Sequence, residues 1–240
     1  MNTRFSILLF LSILFLTSPS QSQTVIISKD KNKEIRDWVL WQSPSAKVFE
    51  FYYLNPDSQM LLMNQATHII IGGGEDIQDK IYGGSDHPFL CGKFNPYRDS
   101  IEIELIQFAI QKNVPLLGIC RGLQLMNASC GGTILADIDS LLHSPIRHMQ
   151  VGIDSAHLVK FTPQSLFVNK FQINQAIVNS THHQCIKKLS PLFLAAAYSP
   201  DSVIEAIQIK KKKQFALGIQ WHPERKRDLV SQKILQTFLK

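Results

Sequence analysis

Gly118-Ile119-Cys120-Arg121-Gly122 lies where a buried apolar run, Val114 to Ile119, gives way to a helical pattern, Leu123 to Ala128. A nucleophile on such a strand-to-helix turn stands at the top of a sheet, and flanking glycines let neighbouring elements approach without a Cβ clash. The turn also sets the Cys120 sulfur at a helix N-terminus, where backbone N–H groups and the macrodipole stabilise negative charge. A thiol nucleophile needs a base, and the base needs an orienting partner. Trp221-His222-Pro223-Glu224 offers both. In an extended segment residues two apart share a face, so this spacing predicts that His222 and Glu224 project together from a segment that Pro223 keeps extended. A third element is Gly72-Gly73-Gly74, directly after the apolar His68 to Ile71. Backbone N–H groups exposed in a glycine turn can hold an oxyanion. As a phosphate loop it fails, because no Lys-Ser or Lys-Thr follows and the glycine spacing differs.

These residues need a sheet to bring them together, and the rest of the chain supplies one. Short aliphatic runs alternate with amphipathic stretches: 24–27, 30–41, 48–53, 57–65 and 68–71 read as strand, helix, strand, helix, strand. That alternation predicts an α/β fold with a mainly parallel sheet flanked by helices. A longer helix is expected over 100–112, capped by Asp99 with Glu102 three residues on. In the C-terminal third, 156–161, 176–179, 193–197, 203–209 and 215–221 are strand-like and are expected to extend the sheet antiparallel. A helix over 227–240 closes the chain, with Val230, Ile234 and Phe238 each four apart. Lys210 to Lys213 falls in a turn between strands and reads as a solvated basic loop.

Composition narrows the classes. Of 240 residues, 45% are hydrophobic and 18% charged, which excludes disordered, collagenous and multi-span membrane chains. The formal charge of +6 comes from 25 Lys and Arg against 19 Asp and Glu. They are scattered, with no basic stripe and no reading motif, so nucleic acid is not an expected partner. Met1 to Ser22 has one early positive charge, an apolar stretch from Phe5 to Leu16, and small residues after it, the layout of a secretory signal peptide. The apolar stretch is shorter than the roughly 20 residues a bilayer-spanning helix requires, so no stable membrane anchor is expected. Cleavage is expected near Ser22, leaving one exported domain, 23–240, in the periplasm or outside the cell. Cys91, Cys120, Cys130 and Cys185 show no framework spacing, and a disulfide among the three besides Cys120 is left open. No Cys or His cluster has zinc spacing, so the expectation is no metal and no cofactor.

Five stretches resemble the class I glutamine amidotransferases, a flavodoxin-like fold: Gly-Ile-Cys-Arg-Gly-Leu-Gln at 118–124, Gly-Gly-Thr-Ile at 131–134, Val-Asn-Ser-Thr-His-His-Gln at 178–184, Ser-Pro-Asp at 199–201 and Gly-Ile-Gln-Trp-His-Pro-Glu at 218–224. They occur in order from about His68 onward and are most similar to the free-standing γ-glutamyl-γ-aminobutyrate hydrolases. The resemblance implies that Cys120 is the nucleophile, His222 the base and Glu224 the third member of a triad. It also implies oxyanion donors in the backbone N–H groups of Gly73 and Arg121, and substrate contacts at Gly74, Gln124, His182 and Gln184. Arg98-Asp99 and Tyr82-Gly83 match the family's spacing. Gly72 and Asp79 stand where the family often has Pro, and 30–64 is shorter and poorly matched.

The reaction so implied is hydrolysis of a small γ-glutamyl amide or short peptide to glutamate and an amine through a thioester. Two alternatives stand beside it: a glutaminase subunit serving a separate synthetase, and a binding module that kept the fold without catalysis. The leaving amine and the oligomeric state, a homo-oligomer included, are left open.

Overall fold

The computed structural model describes residues 23–240 except Ser85, Asp154, Ser155 and Lys212, so the expected signal peptide lies outside the described residues. Five β-α units run first: β1 (Thr24–Ile27), α1 (Glu34–Gln42), β2 (Lys47–Glu50), α2 (Pro56–Gln65), β3 (His68–Ile71), α3 (Pro96–Lys112), β4 (Leu116–Ile119), α4 (Arg121–Ser129), β5 (Thr133–Leu135) and α5 (Ile138–Leu142). A strand-rich part follows: β6 (His157–Phe161), α6 (Leu166–Asn169), β7 (Gln175–Val178), β8 (Cys185–Lys188), β9 (Phe193–Tyr198), β10 (Ile204–Ile209), β11 (Ala216–Ile219) and α7 (Leu229–Phe238).

Nine strands form one sheet in the order β2-β1-β3-β4-β11-β10-β9-β6-β7, while β5 and β8 pair separately. The α/β reading holds, with one correction: β11 is not part of the antiparallel extension alone. It runs parallel to β4 and antiparallel to β10, so the change of direction falls one strand later than expected. β5 and β8 are strands that the sequence pattern did not suggest. Alternation along the central strands divides the core. Val25, Ile27 and Ile70 face α1 and α7 on one side, whereas Ile26, Ile69 and Ile71 face α2, α3 and α4 on the other. Among the described residues no helix is long and apolar enough to cross a membrane.

Capping corrects the third helix. It begins at Pro96, with Asn95 accepting from the Arg98 N–H, so Asp99 is not a cap but lies inside the first turns. Proline at the first helical position sacrifices no bonded N–H, which is why the chain turns there. The consequence is functional, because Asp99 and Glu102 are released to face inward.

Gly118 on β4 and Gly218 on β11 are direct neighbours across the sheet. A Cβ on Gly118 would fall 2.7 Å from the Gly122 carbonyl carbon, and one on Gly218 would fall 3.1 Å from Leu123 Cβ. The pair lets α4 sit close on the sheet, which fixes where Cys120 emerges.

Candidate active site

Cys120 stands between β4 and α4 with φ 52° and ψ −105°, a strained conformation for a residue with a Cβ. Its N–H donates to Ile219 O at 2.7 Å, tying the turn to the end of β11. Three groups therefore meet at the carboxyl ends of neighbouring parallel strands: the glycine turn after β3, Cys120 after β4 and His222 after β11. That is where open α/β sheets place their ligand sites.

His222 and Glu224 are both buried, and Nδ1 lies 2.7 Å from Glu224 Oε1. The segment is not extended, as the spacing suggested, but a 3₁₀ turn over Pro223–Arg225. Proline's fixed φ suits the first position of such a turn, and the turn brings the carboxylate back onto the ring. Burial opposes charge on His222, but Glu224 and Cys120 beside it outweigh burial and lift the imidazole to about 10. The protonated ring is thus held between a carboxylate and a sulfur. Gln220, which sequence reasoning missed, donates Nε2 to Cys120 Sγ at 3.7 Å. Its signal was position, two residues before His222 on the same strand end.

Gly73 lies against both partners. A Cβ there would come 3.1 Å from His222 Cε1 and 3.6 Å from Cys120 Cβ. The turn is held from behind by buried Arg98, whose Nη2 donates to Gly73 O at 2.8 Å and to Gly72 O at 3.2 Å. Because Gly72 O accepts from Arg98, the trans peptide between Gly72 and Gly73 turns the Gly73 N–H away from Arg98, and Arg121 N–H opens α4 without a helical acceptor. Gly72 explains its own departure from Pro: its N–H donates to Ser28 Oγ at 3.1 Å, and a Cβ would strike Lys29 O at 2.4 Å.

Around this turn runs an ionic network. Glu102 accepts from Arg98 Nε at 2.8 Å, from Ser28 Oγ at 2.6 Å and from Arg121 Nη1, while Asp99 accepts from Arg121 Nη2. All but Ser28 are charged, and Arg98, Glu102 and Arg121 are almost wholly buried. Such a network is costly to break, because each loss leaves a buried charge unpaired. Glu75, on the same turn, is disfavoured by burial but held down at about 2 by its own backbone, Arg98 and Lys29. Gly74 sits with φ 146° against Arg98 Nη1, which leaves no room for a side chain.

The other expected contacts are placed differently. Gln124 Nε2 donates to Gln184 O at 3.0 Å and lies 3.3 Å from Gln220 Oε1, so this amide is engaged within the protein. Gln184 is buried, with Nε2 near Cys91 Sγ. His182 turns its ring away into a buried group with His148, His157 and Glu205, a cluster no local spacing reveals. His183, which the sequence left open between a structural role and the pocket, bridges Asp76 and Asp137 at 3.1 and 3.2 Å. The four cysteines are free thiols.

Gly73, Gly74 and His222 border a hollow of about 180 Å³ that Lys29, Lys31 and Arg225 line as well, together with Asp30 and Glu34. A wider depression of about 520 Å³, near Leu166, Gln208 and Lys210, includes none of these site residues.

The sheet order and the elbow define a class I glutamine amidotransferase fold, and solved structures share it. A glutamine amido transferase from Methylobacillus flagellatus superposes with TM-score 0.57 at 16% identity, covering 85% of this chain and 70% of its own. The chain belongs to the Peptidase C26 family, whose pattern matches residues 51–224. It is 34% identical over 173 residues to Protein NtpR of Enterococcus hirae, covering 71% of this chain and 72% of that protein. It is 31% identical over 161 residues to the γ-glutamyl-γ-aminobutyrate hydrolase PuuD of Escherichia coli K12, covering 64% of this chain and 61% of the hydrolase.

Proposed function

We propose that this Peptidase C26 protein hydrolyses γ-glutamyl amide bonds, with Cys120 as nucleophile, His222 as acid and base, and Glu224 as the group that orients His222. The observation that carries the reading is the buried contact of His222 with Glu224 on one side and Cys120 on the other, under Gly73. The relationship to a γ-glutamyl-γ-aminobutyrate hydrolase supports the substrate class.

In this reaction the Cys120 thiolate attacks the γ-carbonyl carbon, and negative charge moves to the carbonyl oxygen beside the N–H groups of Gly73 and Arg121. Preorganised donors stabilise that charge without reorganisation. The C–N bond breaks as His222 gives its proton to the leaving amine, and a thioester of glutamate forms on Cys120. Water then loses a proton to His222, adds to the thioester and releases glutamate and the thiolate. Lys29, Lys31 and Arg225 line the neighbouring hollow with Asp30 and Glu34; Lys29 pairs with Glu75 and Arg225 with Glu34, pairs that a substrate's α-carboxylate and α-ammonium group would enter by exchange.

From the layout of residues 1–22 alone we also propose that the mature protein, 23–240, lies outside the cytoplasm, which mass spectrometry of exported material tests; an intact Met1 refutes it. The activity test is glutamate release from a panel of γ-glutamyl amides and free glutamine, with Cys120→Ala alongside. Cys120-dependent release from amides and not from glutamine supports the proposal. Release from glutamine alone, rising when a synthetase is added, would assign an amidotransferase subunit instead. Silence across the panel from folded protein would overturn the proposal in favour of a partner-dependent subunit or a binding module.

A further inference from the structure

His182 belongs to a group that the proposed hydrolysis does not use. His148 precedes β6, His157 opens it, His182 lies between β7 and β8, and Glu205 is on β10. All four side chains are buried, and their ligand-type atoms lie within 4.8 Å of one another. Glu205 Oε1 is 3.3 Å from His148 Nδ1, 3.4 Å from His157 Nε2 and 3.7 Å from His182 Nε2. None of these pairs has hydrogen-bond geometry: the three nitrogens and both Glu205 oxygens are buried without a partner. Five buried polar atoms without a partner, four of them converging within 4.8 Å of one another, are a costly arrangement unless something lies between them.

The other ring nitrogens identify what that is. His148 Nε2 meets Asp201 Oδ2 at 2.9 Å, His157 Nδ1 meets Leu158 O at 3.2 Å, and His182 Nδ1 meets Gln184 O at 3.0 Å. Each imidazole thus has one nitrogen oriented by a carboxylate or carbonyl and the other aimed inward, the arrangement that fixes the tautomer of metal-ligating histidines. The spacing about Glu205 agrees: bonds of 2.0–2.1 Å to zinc in a tetrahedron put neighbouring ligand atoms about 3.3 Å apart, against 3.3, 3.4 and 3.7 Å from Glu205 Oε1 to the three nitrogens. The separations among the histidine nitrogens stay within 4.8 Å, so the rings would draw together on the ion.

We propose that His148 Nδ1, His157 Nε2, His182 Nε2 and a Glu205 carboxylate oxygen bind one divalent zinc-class ion in a closed tetrahedral site. With four protein ligands and no open position, the ion is structural. Its place in the fold gives it a target. His182 N–H donates to His148 O at 3.1 Å, and the loop between β7 and β8 also carries Asn179, which grips the backbone of His222. The ion therefore joins β6 and β10 to the loop that seats the candidate base. Four ligands drawn from positions 148, 157, 182 and 205 have no zinc-like spacing, so no motif along the chain marks them.

The test is metal content, which does not depend on the hydrolase reading. Full-length mature protein is incubated with excess Zn²⁺, passed through gel filtration and assayed for zinc. Wild type and Cys120→Ser are expected to retain about one ion per chain, and Glu205→Gln and His157→Gln below about a tenth. Substituting Co²⁺ is expected to give the strong visible absorption of a tetrahedral site with no sulfur-to-cobalt charge-transfer band. Wild type retaining below about a tenth of an ion overturns the proposal. So does retention in both ligand variants, or loss in Cys120→Ser, which would place zinc on the thiol. Should the ligand variants fail to fold, the wild-type cobalt spectrum decides alone: weak octahedral absorption or a sulfur band overturns the site.

Discussion

Asn179 and His222 hold each other by two hydrogen bonds, Asn179 Nδ2 to His222 O at 2.9 Å and His222 N to Asn179 Oδ1 at 2.8 Å. The amide side chain thus acts as a backbone partner for the residue that leaves the sheet after β11. Asn179→Ala is expected to cost about 1–3 kcal/mol of stability, because two buried backbone groups lose their partners. Turnover should fall with it as the ring loses its seat. Chemical denaturation together with γ-glutamyl amide hydrolysis checks this; an unchanged denaturation midpoint would show that water replaces the clamp.

Glu224→Gln removes the carboxylate that does most to raise the His222 imidazole against burial. Turnover is expected to fall by about 10²–10⁴. His222 should lose its proton well below about 10, moving the alkaline limb of the pH–rate profile downward. A profile that keeps its limb while losing amplitude would assign that limb to another group.

Gly73→Ala introduces a methyl group 3.1 Å from His222 Cε1, at the point where the oxyanion donor is expected. The backbone N–H stays in place, but the methyl group pushes the His222 ring and the turn apart, so turnover should fall by up to about the 10²–10³ that losing one oxyanion donor costs, with folding intact by circular dichroism. Full activity in this variant would show that the close packing of Gly73 on His222 is not needed for the reaction.

Cys120 adopts positive φ despite its Cβ, so Cys120→Gly should be more stable than Cys120→Ala by about 1 kcal/mol, since glycine relieves the strain. Both variants should be inactive. Thermal denaturation of the pair measures the strain stored at the elbow, and equal melting temperatures would falsify it.

His183 is raised from 6.5 to about 8, first by its hydrogen bond to Asp76 and against its partial burial. A raised pKa in the folded state favours folding fully below 6.5 and loses that contribution as pH rises through about 8. Wild type should therefore lose stability between about pH 6 and pH 9 relative to His183→Gln, which has no such proton to release. Parallel urea titrations at the two pH values make the comparison, and identical slopes for both proteins would place the titration elsewhere.

How much of this was legible depends on distance along the chain. The β-α alternation and the glycines at 118, 122 and 218 are local patterns, so the parallel sheet and the elbow could be read before any coordinates. The pairing of β11 with β4 was not, because direction in a sheet depends on how a strand's neighbours are connected and not on its own apolar residues. The cap of α3 was misplaced for a similar reason. Asn95 and Asp99 are both good capping residues, and inward-facing Arg121 and the Gln78 N–H, distant in sequence, engage Asp99.

By itself the sequence determined the kinds of groups available: a cysteine at a strand-helix turn, a histidine two residues from a glutamate, and a glycine turn. Only the tertiary structure decided which of them meet. It turned His-Pro-Glu into a 3₁₀ turn and set Arg98 behind the glycines. It also drew His182 away into a buried group with His148, His157 and Glu205. The physical reason is that residue type and local spacing set backbone preference and chemical capacity, whereas hydrogen-bonding partners for buried polar atoms come from wherever the packed chain places them.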